Sequence, residues 1–411
     1  MKASIVELEV GSPTGATVPP VGVGVASHDQ PLGVRELELL QAVRAAHLRV
    51  DVDVADHDAS NRLARAAAEA SALRAELEVA VIYDGEADGG SIDGVAAALS
   101  DAPVARVLVL PRGPEATSES AMDAVAPALA AAGVDAPLGG GTNAFFAELN
   151  SAGRLPDACR LAAFPITPQV HTFDEISIVE TLPIQAIAAR TARALLPGRG
   201  VVVSPVTLKW RFNPFAEGSP REPAAGELPE AVDPRQMSLF CAAWTLASVG
   251  HLVAAGVASA TYYETSGWRG IVETERGSPP SAPFPSLPGM AFPVYHVLAD
   301  VCELRGADLV ALEQSDHEAL KSIGTRRGVS LTVLLANTTS QTVRVVLRGL
   351  SDRVSLRVLD ETTAPEAVLD PLAYRAAAAP VQDAAAGLPI DLLPYATARV
   401  DTTSVSPTGL A

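Results

Sequence analysis

The sequence predicts an α/β protein: a (β/α)8 TIM barrel followed by a C-terminal antiparallel β-sandwich. Three observations carry this. A short apolar or β-branched run followed by an amphipathic Ala/Leu/Arg stretch recurs eight times over roughly 290 residues, close to the about 250 that such barrels occupy before insertions. After about Leu312 the pattern changes to the two-residue alternation of half-buried strands. The composition, 411 residues with 48% hydrophobic and 19% charged, can fill the core of a barrel-sized domain and a smaller one.

The eight runs are Val21–Ala26, Leu48–Val54, Leu77–Tyr83, Ala105–Leu110, Pro137–Thr142, Leu161–Val170, Gly200–Leu208 and Ala258–Tyr263. Between them, Arg35–Ala46, Ala59–Ala75, Ser91–Ser100 and Ser118–Ala132 have helical periodicity and composition. Asp174–Arg193 starts with acids and ends in Arg190 and Arg193, matching a helix dipole. Gln236 to Tyr263 lacks Asp, Glu, Lys and Arg and is long enough to span a bilayer. Its polar residues and Gly256 favour a buried helix, about Arg235–Ala255, running into a buried strand. Further on, Val329–Ala336, Thr342–Leu347, Val354–Leu359 and Ala396–Asp401 alternate as sandwich strands, and Ala3–Val10 alternates likewise. The expected division is 1–18 as a leading strand and linker joining the sandwich, 19–312 as the barrel and 313–411 as the sandwich.

A doubly wound open sheet competes on the strength of Gly22-Val-Gly24, which lacks the third glycine and the acidic ribose ligand. The net charge of −18 disfavours nucleic acid and anionic membranes as partners. Cys159, Cys241 and Cys302 form no CxxC and read as small buried hydrophobes. Glu7 and Glu9 stand where a signal peptide needs an apolar run, so a cytoplasmic location is expected. No cofactor or metal is called for: the Asp53, Asp56, His57, Asp58 cluster reads as a helix start, and no zincin or nucleophile-elbow pattern occurs. His47, His251 and His317 read as structural.

Barrel active sites lie at the C-terminal ends of the strands. Polar residues gather there: Asn143 and Glu148 after strand 5, His171 after strand 6, Lys209 and Arg211 after strand 7, and Tyr263, Glu264, Trp268 and Arg269 after strand 8. Strand 2 adds Arg49, Asp51 and Asp53 on one face. Glu148 and Glu264 are the candidate catalytic pair, one to give a proton and one to act as base or nucleophile. Asn143, His171 and Tyr263 are candidate oxyanion donors, and Arg49, Asp51, Lys209, Trp268 and Arg269 candidate substrate holders. Two Pro/Gly-rich segments, Arg211–Val232 and Gly277–Gly289, follow rim strands and are long enough to wall the site, the second reading equally as a disordered connector.

The stretches GGTNAFFAELN, PQVHTFD, VSPVTL with RFNP, VDPRQMSLF and TYYETSGWRG with its trailing ETERG resemble the D-apionate lactonase family, as does FPVYHVLADV at Phe292–Val301. The resemblance implies a glycoside-hydrolase-like barrel with a sandwich. It also implies hydrolysis of a small sugar lactone, D-apionolactone, to D-apionate in D-apiose catabolism. Members of that family usually carry an additional β-rich N-terminal domain, which this sequence does not show, and Thr167 stands where Asn is expected. A retaining glycosidase using the same two glutamates is the alternative enzyme, and a carbohydrate-binding barrel without turnover the alternative outside catalysis. The sequence does not fix the oligomeric state.

Overall fold

The computed structural model describes residues 5–28, 30–85, 92–213, 221, 223–315 and 318–402. A leading strand β1 (Ile5–Thr17) precedes eight parallel strands. These are β2 (Val21–Gly24), β3 (His47–Asp53), β4 (Glu76–Ile82), β5 (Val104–Leu110), β6 (Leu138–Gly141), β7 (Leu161–Ile166), β8 (Gly200–Val206) and β9 (Ser259–Ser266). Each pairs with the next, and β9 also pairs with β2, which closes the barrel. A short β10 (Gly270–Val272) lies beside β9. Around the strands run α1 (Val34–Val43), α2 (Ala59–Leu73), α3 (Ile92–Leu99), α4 (Glu119–Ala131), α5 (Phe146–Ala152), α6 (Glu175–Glu180), α7 (Leu182–Leu195), α8 (Leu239–Ala254) and α9 (Pro293–Glu303).

Closure rules out the open doubly wound sheet. Gly24 serves packing: a Cβ there would stand 2.9 Å from the Tyr263 carbonyl oxygen on the neighbouring strand. The long uncharged stretch divides as its sequence suggests, into α8 and β9, and none of the described helices is long and apolar enough to cross a membrane. Asp174–Arg193 is not one helix. It breaks at Thr181 into α6 and α7 because Pro183 has no N–H to donate and its ring crowds the carbonyl four residues back.

Strand alternation sorts the barrel into two cores. Leu77, Val79 and Val81 of β4 face the helices in the main cluster, while Ala80 and Ile82 join Leu108, Leu110, Ala163 and Val202 in the lumen. The second sheet holds nine strands among the described residues, in the order β16-β15-β18-β13-β12-β11-β1-β14-β17. They are β11 (Asp308–Gln314), β12 (Leu320–Arg327), β13 (Ser330–Asn337), β14 (Val343–Arg348), β15 (Arg353–Leu359), β16 (Val381–Asp383), β17 (Leu388–Leu392) and β18 (Thr397–Thr402), together with β1. Their inward residues, from Val6 and Leu8 to Val400, share one core. The sheet is antiparallel except where β1 runs parallel to β14, so the expectation of an entirely antiparallel domain needs that correction. The strand that arrives first in the chain fills a gap between β11 and β14, and its direction is set by its exit into the barrel. The sheet takes in β11 from Asp308, a few residues before the expected boundary at 312. Two short helices, α10 (Ala364–Leu369) and α11 (Pro371–Ala376), link β15 to β16.

Candidate active site at the barrel mouth

The barrel lumen is charged from floor to mouth. Arg49, Glu78 and Arg106 are partners in register across β3, β4 and β5. Arg106 donates to the Glu78 carboxylate at 2.7 Å and to Ser259 Oγ at 2.7 Å. The other Glu78 oxygen accepts from Thr261 Oγ1 at 3.0 Å and from the Ser204 hydroxyl. Arg49 reaches across to the Ser204 carbonyl at 2.6 Å and turns its opposite edge to Asp51 Oδ1 at 2.7 Å. Burial pushes the Glu78 carboxyl up, but His47, Arg106 and Arg49 overcome it and hold it at about 2. The same contest at Asp51, burial against Arg49 and Arg211, also ends at about 2.

The chain of alternating charge ends at Glu264. Arg211 Nη1 stands 2.8 Å from Asp51 Oδ2, and its Nε stands 3.4 Å from Glu264 Oε1. Arg269 Nη2 lies 2.8 Å from the same Glu264 oxygen, while Oε2 accepts the Ser27 backbone N–H at 2.8 Å. Glu264 is almost wholly buried. A local backbone irregularity puts it there. Tyr263 has φ of 50°, and the β2–β9 register slips between Val23 and Gly24, which pair with Tyr262 and Glu264. Tyr262 and Tyr263 therefore both turn outward to α8, meeting Ser248 Oγ at 2.8 Å and Thr245 Oγ1 at 2.7 Å, and Glu264 faces the lumen. Bulges of this kind re-aim side chains beside active sites.

Six of the ten expected residues, Asn143, Lys209, Tyr263, Glu264, Trp268 and Arg269, line two cavities at this mouth. A small cavity is lined by Lys209, Arg211, Asp233, Glu264, Trp268 and Arg269, and a second by Asn143, Phe145, Thr167, Thr207, Trp210 and Arg211. Arg211 and Thr207 line both, and Arg49 and Asp51 stand behind Arg211. Among the described residues, the buried Trp268 indole N–H has no acceptor. Glu148 lies on the first turn of α5, half-buried, and accepts the Phe145 N–H at 3.1 Å, the geometry of a helix-capping glutamate. Tyr263 lines the first cavity, but its hydroxyl meets Thr245 and Cys241 on the outer side and does not point to the mouth. His171 is exposed between β7 and α6 and joins none of the hydrogen bonds or ion pairs of the cluster. Asp53 pairs with Arg112, and Asp56 caps the approach to α2 by accepting the Asp58 N–H at 2.9 Å.

Sequence reasoning passed over Ser27, Glu78, Arg106 and Asp233. A charged residue in the middle of an apolar run was the available signal for Glu78 and Arg106. Asp233 fixes the loop after β8: it accepts from the Arg235 guanidinium at 2.9 and 2.7 Å, from the Arg235 N–H at 2.8 Å and from the Gln169 amide at 2.5 Å. Much of the first Pro/Gly-rich segment, 214–220 and 222, lies outside the described residues, as does His317. The second is ordered. Buried Glu273 accepts from the Thr274 N–H, Ser278 Oγ and Ser286 Oγ, and Ser281 Oγ reaches the Gly226 carbonyl at 3.0 Å, which joins the two loops. After β6, Gly141 has φ of 156°, and a Cβ there would fall 1.8 Å from the Ala163 carbonyl oxygen. Only glycine lets the chain turn into the loop bearing Asn143. Among the described residues no group of three or more His, Cys, Asp or Glu is placed to hold a metal.

Residues 21–306 match the family model described as D-apionate lactonase, TIM barrel domain, and 318–400 match that described as D-apionate lactonase, C-terminal immunoglobulin-like domain. A curated D-apionate lactonase from Brucella anthropi is 27% identical over 339 residues, 77% of this chain and 53% of the relative. The chain thus spans about half the length of that relative. Among solved structures, a GH30 endoxylanase from Clostridium papyrosolvens superposes with a TM-score of 0.60 at 11% identity, over 98% of this chain and all of that one. AbfB, a family 51 α-L-arabinofuranosidase from Bifidobacterium longum, gives 0.62 at 12%, over 96% and 99%. At such identities these likenesses show the fold alone.

Proposed function

The chain belongs to the D-apionate lactonase family, and from that premise we propose that it hydrolyses a sugar γ-lactone, D-apionolactone, to the hydroxy acid D-apionate, as a step of D-apiose catabolism. The observation that carries the reading is the buried Glu264 carboxylate, held at the barrel mouth between Arg211 and Arg269 and beside a Trp268 N–H that has no acceptor among the described residues. An ion-paired carboxylate is a base or nucleophile rather than a proton donor. Glu264 takes a proton from water as the water oxygen bonds to the lactone carbonyl carbon. The carbonyl becomes an oxyanion, which the guanidinium N–H groups of Arg211 and Arg269 and the Asn143 amide are available to stabilise. The ring C–O bond then breaks, and we assign the proton for the departing oxygen to Glu148, in the first turn of α5, whose N-cap Phe145 lines the second cavity. The product acid ionises and leaves a mouth in which Lys209, Arg211 and Arg269 stand beside Asp233 and Glu264.

The test is acid release from sugar γ-lactones by the purified chain, run beside chromophore release from aryl glycosides. Glu264→Gln should lower lactone turnover by about 10²–10⁴-fold, the range of general-base contributions, in a variant that is still folded at the assay temperature though less stable, because Arg211 and Arg269 lose their buried partner. Glu148→Gln should lower it less if its carboxyl serves only the leaving oxygen. Full lactone turnover by both variants sinks the mechanism. Glycoside turnover without lactone turnover would replace the reading with a retaining glycosidase, and turnover of neither class by the wild-type chain would leave a binding protein.

A further inference from the structure

Arg211 stands on an irregular part of the chain. β8 ends at Val206, and the next helix or strand among the described residues is the short helical turn Pro234–Met237. A long side chain on such a segment gives little electrostatic help unless something else fixes its direction. The fixing group is Asp51, which sits in the barrel wall on β3, in register with Ala80 of β4. Its two oxygens are divided between two arginines. Oδ1 accepts from Arg49 Nε at 3.1 Å and Nη2 at 2.7 Å, and Oδ2 lies 2.8 Å from Arg211 Nη1. Arg49 is buried and is tied in turn to the Ser204 carbonyl and hydroxyl, at 2.6 and 3.0 Å. Burial works against the charge of Asp51, but Arg49 and Arg211 overcome it, so the group is a carboxylate at neutral pH. Glu264 is the rival anion for Arg211, and that contact is looser: Nε stands 3.4 Å from Oε1, beyond an ordinary N–H···O bond.

We propose that Asp51 is a positioning residue for the lactonase reading above, on which this role rests: it holds the Arg211 guanidinium at the barrel mouth and off the Glu264 carboxylate. The base and the oxyanion donor then do not neutralise each other before the lactone arrives. Asp233, the other carboxylate of the cavity, is already engaged by Arg235 and Gln169. Loss of the Asp51 charge therefore sends Arg211 to Glu264. A carboxylate in a closed salt bridge is a weaker base, and a guanidinium spent on it donates less to a lactone oxygen. Asp51 acts through Arg211 and does not itself bind the substrate. The sequence-based expectation that it holds substrate hydroxyls would need a free oxygen, and both of its oxygens are engaged.

Kinetics on D-apionolactone, beside a crystal structure of Asp51→Asn, test it. Asp51→Asn should lower kcat by about 10²-fold, the effect of misplacing a catalytic group by an ångström, with KM little changed. Arg211→Met should lower kcat by about 10²–10³-fold, the worth of one oxyanion donor. Adding Asp51→Asn to Arg211→Met should cost nothing more, because the first residue acts only through the second. Asp51→Glu keeps the charge but moves it by one methylene. It should regain about 10-fold of the lost kcat, and it serves for the same pairing with Arg211→Met if the Asn variant does not fold. In the Asp51→Asn crystal the Arg211 guanidinium should close on Glu264 to about 3 Å. A raised KM at unchanged kcat would make Asp51 a substrate holder and overturn the proposal. Additive losses in the double variant, or an Arg211 that has not moved in the crystal, overturn it too. A wild type that opens no lactone overturns the functional reading instead, and the crystal position of Arg211 then still decides whether Asp51 anchors it.

Discussion

Trp268 shows what a single side chain at the mouth contributes. Its indole N–H is buried with no acceptor among the described residues, an arrangement that native structures rarely leave unused. A substrate hydroxyl is a fitting acceptor, since the ring also walls the cavity beside Glu264. Trp268→Phe keeps an apolar ring and deletes the donor. Its expected effect is a KM raised by about 5–10-fold, the worth of one hydrogen bond near 1 kcal/mol, with kcat within a few-fold of wild type. A drop in kcat at unchanged KM would place the indole on the reacting atoms instead. Lys209, Trp268, Arg269 and Glu264 were legible as site candidates because each is a polar residue at or just after a strand end, and Arg49 and Asp51 because they share one face of β3. The reach of Arg49 was not: it joins the floor to the mouth through Ser204 and Asp51, and no spacing in β3 announces a partner in β8.

At the scale of the element, the turn in β9 separates two roles that the sequence ran together. Alternation along Ala258–Tyr263 places Tyr263 and Glu264 on opposite faces, but it cannot tell which face each takes once a residue with positive φ intervenes. The structure sends the Tyr263 hydroxyl to α8, where burial and then Cys241 push its ionisation well above the usual phenol value. Tyr263→Phe should therefore cost about 1 kcal/mol in chemical denaturation and leave lactone turnover within a few-fold of wild type. A loss of turnover comparable to that of Glu264→Gln, with stability unchanged, would return Tyr263 to the site. The barrel strands were readable because strands buried on both faces are continuous apolar runs. The small strands β16 and β17 were not, being 3 and 5 residues long with Pro389 inside one. Helix α9 is also hard to read, because nine of its eleven residues are buried and an element apolar on nearly every side loses its period.

Across the whole molecule, barrel and sandwich are joined by charge. Asp300 of α9 accepts from Arg357 at 3.2 Å and from Arg375 and Arg399 at 2.9 Å each, while Glu303 takes a second pair from Arg399. Neutral histidines stand near both this interface and the barrel floor. Burial holds His47 at about 3 despite the upward pull of Glu78, and holds His296 at about 4 despite its hydrogen bond to the Ala367 carbonyl. Both are depressed below the ordinary 6.5, so the unfolded chain binds more protons than the folded one wherever the pH lies between. Their contribution to stability is complete above about 6.5 and is lost as the pH falls toward 4 and 3. Each should cost about 2 kcal/mol between pH 7 and pH 5. Below that, Asp51 and Glu78, both held at about 2, add a loss of the same sign. Glu69, which burial lifts to about 7, works in the opposite sense and blunts the slope. Urea denaturation at pH 7, 6 and 5 should show stability falling with each step, and His296→Gln should remove about 2 kcal/mol of the fall. Equal stability at pH 7 and 5 would mean that these imidazoles are protonated in the fold, with the barrel floor and the domain interface rearranged to admit the charge.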